Sequence, residues 1–464
     1  MAVATPEPGS FRDNKGRIYY VGDRVFRTIT PAGIADFEAV RATGLVDELV
    51  GAGLLIAENR VDVKLLGESA ADASLVIEHP RLPYISYPYE WSFEALKTAA
   101  LAHLELHQKA LRKNVTLSDA TAFNVQFRGA KPVFIDSLSL RMYDEGEFWA
   151  GHRQFCEQFI NPLLLRSVLG VPHNAWYRGA IEGISAQELG NILPWRSRFS
   201  WNILTHVFLQ ARLQRASGSA QKAAQQAGTR KLAKIGFEQI LHGLQRWISK
   251  LEPRKSGATV WQNYSSDNSY VDIETERKRD FVQKFIENAA PELVFDIGCN
   301  TGDYSILALE HGARRAVGFD FDHGALDHAF RRARELDVDF LPLHLDAANP
   351  SPSQGWMQKE RQGLLQRARG DAVLALAVVH HLAISKNLPL PEVLGWIIDI
   401  APQGVIEFVP KQDPMVQRLL SLREDIFASY DEESFREAIG AGARIVNSSI
   451  VSSSGRTLYW YDRR

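Results

Sequence analysis

The chain has 464 residues, 45% of them apolar and 23% charged, with a formal net charge of −2. Such values describe a globular protein of two or three domains with ample core. They exclude an overall field that would draw nucleic acid or an anionic membrane to the surface. Two cysteines, Cys156 and Cys299, cannot build a disulfide framework or a cysteine-rich zinc site, and they fit a reducing cytoplasm. Met1 to Arg12 has no apolar core, so no secretory signal is expected. No run of about 18 apolar residues occurs, so no membrane span is expected.

Residues 1–215 mix short strand-like runs with amphipathic helices and read as an α+β domain. Ile85-Ser86-Tyr87-Pro88-Tyr89-Glu90-Trp91 precedes a helix over Phe93 to Leu111, whose stripe is Leu96, Ala100, Leu104, His107 and Leu111. Asp119 and Asn124 then follow at D-x-x-x-x-N spacing, and Asp136 ends a strand-like run, Lys131 to Ile135. This block resembles the carboxyl lobe of kinase-like and aminoglycoside-phosphotransferase-like folds. The resemblance implies Asp119 as a base, with Asn124 and Asp136 on a nucleotide-bound magnesium. Several parts of that pattern are missing: no H-R-D precedes Asp119 and residues 9–30 hold no Gly-rich loop. The nearest match to the lysine-bearing strand is Val61-Asp62-Val63-Lys64. The three polar residues therefore either serve a degenerate, pseudokinase-type site or hold turns in a scaffold.

Residues 216–255 read as a linker and connecting helix, because 216–234 are small, polar and basic. From 256 to 464, apolar strands alternate with helical patterns, as in a parallel sheet with crossover helices. Strands are expected at Leu293–Ile297, Ala316–Phe319, Asp339–Leu343, Ala372–Leu376 and Gly404–Phe408. A charged helical stretch is expected over Met415 to Ile439, and a terminal antiparallel hairpin over Ala443–Val451 and Thr457–Tyr461.

The first of these strands runs into Asp296-Ile297-Gly298-Cys299-Asn300-Thr301-Gly302, a strand–tight turn–helix that brings backbone close to a ligand. It resembles motif I of class I S-adenosylmethionine-dependent methyltransferases. Later strand ends agree in order: Val317-Gly318-Phe319-Asp320, Leu343-His344-Leu345-Asp346 and Leu374-Ala375-Leu376-Ala377. The resemblance implies a Rossmann-like seven-stranded sheet and S-adenosylmethionine as cofactor. It implies a binding set of Asp296, Gly298, Asn300, Gly302, Asp320, Phe321, Asp346, Ala347 and Leu376. Asp320 would accept the ribose hydroxyls, with Asp322 the near alternative. Asp346 would face the adenine amino group. Asn300 stands where the family has its middle glycine, and Asn tolerates left-handed backbone better than most residues. Tyr264, Tyr270 and Lys278 precede the first strand, as a lid over the cofactor or as a domain entrance packed on the sheet.

Methyl transfer needs an acceptor held in line and, for a hydroxyl, a proton acceptor. His380, His381 and Glu407 lie at strand ends that open toward the site and are the catalytic candidates, the two histidines alternatively shaping the pocket. No metal-ligand spacing stands out, so no metal is expected. Across nearly its full length the chain resembles two-domain bacterial methyltransferases that include the nodulation host-specificity proteins. That implies a cytoplasmic enzyme acting on a small-molecule or glycan-type acceptor, without nucleic acid or membrane. The rival readings are a bifunctional kinase–methyltransferase and a non-catalytic binding module.

Overall fold

The computed structural model describes residues 3–212, 231–254, 272–421 and 423–463. The chain opens with β1 (Thr5–Pro6), β2 (Ile18–Val21), β3 (Arg24–Ile29), β4 (Asn59–Val61) and β5 (Leu75–His79). They form an antiparallel sheet in the order β1-β2-β3-β5-β4. Helix α1 (Pro31–Ala42) lies between β3 and β4; it starts on Pro31, whose fixed φ suits a first helical turn, and buries Phe37 and Val40. Helix α2 (Phe93–Arg112) is capped by Ser92, whose side chain accepts from the Ala95 N–H at 3.3 Å. Its expected stripe of Leu96, Ala100, Leu104, His107 and Leu111 is buried throughout. Two small antiparallel ladders follow, β6 (Val115–Leu117) with β9 (Leu140–Met142) and β7 (Val125–Arg128) with β8 (Lys131–Phe134). This part is α+β, as its sequence predicts.

Helix α3 (Lys234–Ile248) lies where a connecting helix was expected. It buries Phe237, Leu241, Leu244 and Ile248. Its Gln245 meets Gln108 of α2 at 3.1 Å. A helix with so continuous an apolar face belongs to the core of the first unit, whatever its place in the chain.

Helix α4 (Asp272–Ala289) leads into the second sheet. Its strands are β10 (Leu293–Ile297), β11 (Arg315–Asp320), β12 (Phe340–His344), β13 (Ala372–Ala375), β14 (Gln403–Phe408), β15 (Arg444–Ile450) and β16 (Thr457–Asp462). The order is β12-β11-β10-β13-β14-β16-β15, parallel from β12 to β14 and antiparallel at β16 and β15. All five parallel strands and the terminal hairpin fall within a residue or two of their expected places. The connecting helices are α5 (Asp303–Glu310), α6 (His323–Glu335) and α7 (Leu390–Ile400). The expected charged helix over Met415 to Ile439 is instead two helices, α8 (Pro414–Leu420) and α9 (Glu432–Gly442). Asp413 and Asp431 cap them, and Asp425 between them accepts from the Phe427 N–H at 3.0 Å in a turn.

The two units share one core. The Tyr84 ring meets Phe295 and Phe319 edge-on, at 5.7 and 5.9 Å between centroids. Phe127 lies between Trp91 at 5.2 Å and Phe330 at 5.8 Å. Arg367 pairs with Glu90, both almost fully buried. Asp327 of α6 accepts the Glu94 N–H at the start of α2 at 3.0 Å.

Candidate active site

The sheet reverses direction between β10 and β13: the chain steps outward through β11 and β12, then returns to the other side of β10. In an open parallel sheet this switch point leaves a crevice at the carboxyl ends of the strands. Gly298, Asn300 and Gly302 all have positive φ, at 81°, 49° and 85°. Ala377, just past β13, does too, at 53°. This left-handed backbone turns the chain sharply at the carboxyl ends of the central strands. At Gly302 a Cβ would come within 2.3 Å of the Phe340 ring, so the turn tolerates no side chain there.

Asp320, at the end of β11, organises this turn. Its Oδ2 accepts the Asn300 N–H at 2.8 Å and its Oδ1 accepts the Asp322 N–H at 2.8 Å. The Phe321 N–H also stabilises its charged form. Asp322 is committed elsewhere: its Oδ1 caps α6, accepting from Gly324 at 2.7 Å and Ala325 at 3.0 Å. Asp296 lies beneath the turn, 2% exposed, and accepts the Ser305 Oγ–H at 2.6 Å. Burial pushes its carboxyl up to about 7, with Asp320 adding repulsion while Ser305 and Lys278 oppose. Burial also raises Asp320, against the N–H donors that stabilise its charge. Two acids, one buried and one partly buried, thus lie beside the turn.

Beyond the ends of β11 and β12, the strands and the first unit line an open cleft of about 170 Å³. The second unit contributes Phe321, His344 and Asp346; the first contributes Tyr89, Glu90 and Arg178. Phe321 is 58% exposed, an uncovered aromatic face at the mouth. Asp346 accepts the Ala348 N–H at 3.1 Å, and Ala347 between them packs partly against the core. Leu376 is buried under the turn of Ala377.

The structure gives the catalytic candidates unequal settings. Glu407 is fully buried and accepts from Lys278 Nζ at 2.6 Å, with Arg456 3.7 Å away on its other oxygen. Lys278 thus sits under the site as a partner of Glu407, and burial lowers its ammonium pKa while Glu407 raises it. His380 is 0% exposed, and neither ring nitrogen finds a partner among the described residues. His381 is half-buried; burial and the positive charge of Arg456 bring it down to about 4. Its ring is therefore neutral through the physiological range, with one N–H and one lone-pair nitrogen, and is a weak base. Tyr264 and Tyr270 lie outside the described residues.

In the first unit, Asp119, Asn124 and Asp136 do come together. Asn124 Nδ2 reaches Asp119 at 3.3 Å and Asp136 at 3.2 Å. The cation beside them is Arg27 of β3, which sequence reading missed. It pairs with Asp136 at 2.6 Å and Asp13 at 2.7 Å, whereas Lys64 is exposed. Burial, Asp136 and Asp13 push the Asp119 carboxyl up to about 7.

No family model matches the chain. The nodulation protein NoeA of Rhizobium meliloti (strain 1021) is 45% identical over 468 aligned residues, covering 100% of this chain and 98% of the relative. A ribosomal protein L11 methyltransferase of Lachnospira eligens is 31% identical over 68 residues, 15% of this chain and 21% of the relative. Among solved structures, WbdD with the kinase inhibitor LY294002 aligns over 47% of each chain at 18% identity and a TM-score of 0.31. The magnesium protoporphyrin IX methyltransferase of Synechocystis PCC 6803 with bound SAH aligns over 48% of this chain and 95% of its own, at 19% identity and 0.31. The N-methyltransferase NodS of Bradyrhizobium japonicum WM9 does so over 41% and 97%, at 12% identity and 0.31. The near full-length identity is the finding that places the protein, and the chain belongs to the family of the nodulation protein NoeA.

Proposed function

We propose that the chain is an S-adenosylmethionine-dependent methyltransferase acting on a small-molecule or carbohydrate-type acceptor. The observation that carries this reading is the Asp320 carboxylate holding the left-handed turn Gly298–Gly302 open at the switch point of the sheet. Asp320, an acceptor at the end of the second strand, suits ribose hydroxyls. Asp296 and the N–H groups at the start of α5 suit an amino-acid end that carries both signs of charge. Phe321 and Asp346 suit an adenine ring and its amino group. When bound, S-adenosylmethionine supplies a methyl group on a sulfonium.

The chain's own residues then have three tasks. Asp296, Asp320 and Asp346 fix the cofactor. Tyr89, Glu90 and Arg178, across the cleft, orient an acceptor. His381, with a neutral half-buried ring, is read as the proton acceptor, while Glu407, tied to Lys278 and Arg456, is read as supporting the floor. The first unit is read as a kinase-like scaffold for acceptor recognition. The direct Arg27–Asp136 pair favours this over phosphotransfer, because it occupies the carboxylate that a magnesium ion would need.

Calorimetric titration of the intact protein with S-adenosylhomocysteine tests the proposal. Micromolar binding is expected. Absence of binding would sink the cofactor assignment and move attention to the first unit, where ATP turnover abolished by Asp136→Ala would establish the bifunctional reading instead.

A further inference from the structure

His152, Cys156 and His206 converge in the first unit, away from the methyltransferase cleft. One ligating atom from each lies within 4.8 Å of the others. His152 Nε2 is 3.0 Å from His206 Nδ1, and Cys156 Sγ is 3.7 Å from His152 Nε2. Tetrahedral zinc, with Zn–N of about 2.0–2.1 Å and Zn–S of about 2.3 Å, sets N···N at about 3.3 Å and N···S at about 3.6 Å. The two edges at His152 Nε2 stand within a few tenths of an ångström of these values, and Cys156 Sγ lies within 4.8 Å of the His206 ligand atom.

We propose that His152, Cys156 and His206 bind one zinc-class divalent cation, which staples the helix at Trp201–Leu209 to the helix that begins at His152. Two neutral imidazoles and one thiolate are a borderline-soft donor set that suits zinc. On binding, the Cys156 S–H bond breaks, an S–Zn bond forms and the proton leaves to solvent. The fourth position is left to water or to Gln210, whose Oε1 is buried with no partner among the described residues.

Two further observations set this trio apart from ordinary core histidines. Both ligand-bearing helices widen into π-type turns at the ligands, Cys156–Ile160 and Leu204–Leu209. Such turns cost backbone geometry and gather at functional sites. The histidines nearby are settled differently: His107 bonds to Thr116 Oγ1 at 2.9 Å, and His103 lies among Phe134, Phe155 and Phe159.

A staple here has work to do. The segment from Trp195 to Leu209 leaves Trp195, Phe199 and Trp201 at least 65% exposed, so apolar packing holds it on one side only. The opposing helix reaches the Asp119 loop, where Gln154 and Gln158 accept the Ala120 and Ala122 N–H groups at 2.9 and 2.8 Å. Metal binding would therefore also steady the acidic cluster around Asp119.

The test uses the full-length chain without a polyhistidine tag, stripped with a chelator and dialysed against zinc or cobalt(II). About one metal per chain is expected, and the cobalt form should show a thiolate-to-cobalt charge-transfer band with the intense visible bands of tetrahedral cobalt. Cys156→Ser should abolish the charge-transfer band and Cys299→Ser should keep it. His206→Ala should weaken zinc binding by at least about tenfold, the lower end of what losing even a supporting residue costs. A wild-type chain that retains no stoichiometric metal overturns the proposal without recourse to any variant. So does a charge-transfer band that follows Cys299 rather than Cys156. In either case the trio is a hydrogen-bonded core contact only.

Discussion

Replacing Asp320 with alanine tests the architecture of the cofactor turn most directly. The carboxylate holds two N–H groups, of Asn300 and Asp322, each at 2.8 Å. A hydrogen bond to a charged group contributes about 1.5–3 kcal/mol. The Asn300 backbone, at a φ of 49°, has a conformation that costs a non-glycine residue about 1–2 kcal/mol. Without the Asp320 acceptor the turn relaxes away from the geometry that presents its N–H groups, and the ribose acceptors vanish with it. Relief of carboxylate burial offsets part of the loss, so the net effect on cofactor affinity is about 1–3 kcal/mol, or about fivefold to about 150-fold in Kd. Titration calorimetry with S-adenosylhomocysteine on wild type and Asp320→Ala measures it, with a thermal melt to show that the variant is folded. Asp322→Ala is the companion: it removes a helix cap, so it should lower the melting temperature and weaken binding less. If Asp320→Ala binds as well as wild type, or Asp322→Ala loses more affinity, the second strand has been read in the wrong register.

Removing one member of the buried Lys278–Glu407 pair leaves the other's charge stranded, so Glu407→Leu and Lys278→Met should each destabilise by about 3–5 kcal/mol. The double variant should cost less than the sum, and additive denaturation energies would refute direct coupling. Asp296 has a raised carboxyl pKa in the folded protein, so the folded state binds the proton more tightly. The associated stability is present below the ordinary value of 3.8 and is lost as pH rises through about 7. Asp296→Asn should flatten the melting temperature over that window, and an unchanged pH profile would contradict its burial. His381→Ala should cut turnover by about 10²–10⁴-fold while leaving S-adenosylhomocysteine affinity near wild type; equal loss of both would make the residue structural. A fragment of residues 256–464 should not fold alone, because it exposes Phe295, Phe319 and Phe330, which pack on Tyr84 and Phe127. A cooperative melt with full-chain cofactor affinity would show the shared core to be dispensable.

The second sheet was legible in the sequence because its parallel strands are covered on both faces and read as unbroken apolar runs. The glycine turn was legible because few residues other than Gly and Asn take the left-handed backbone found at 298, 300 and 302. The break between α8 and α9 had local signals, Asp413-Pro414 and Asp431, that charge density hid. Other features depend on distance in space alone. Nothing near Asp136 announces Arg27, and Glu407 gives no sign that Lys278, 129 positions earlier, neutralises it. The sequence spacing showed Asp119, Asn124 and Asp136 as a set, but whether that set is available to a metal ion depended on the cation from β3. His152 and Cys156 are one helical turn apart and could have been flagged, whereas His206 is brought in by tertiary folding.

The run Ser86 to Phe93 explains how the two units become one machine. Arg367 of the second unit lies over the Tyr84 and Tyr87 rings, at 5.1 and 4.4 Å, and pairs with Glu90. Trp91 Nε1–H donates to Ser86 Oγ at 2.9 Å, which locks the run, and Ser92 then caps α2. Tyr89 and Glu90, the residues so held, are also those that face Phe321 and Asp346 across the cleft. A buried arginine deprived of its carboxylate costs about 3–5 kcal/mol, so the joint cannot open without exposing an unpaired charge. The cleft wall built by the first unit is thereby as fixed as the cofactor turn built by the second. On the proposed reading, an acceptor bound between them would meet two fixed surfaces, the positioning that an in-line transfer demands of a protein.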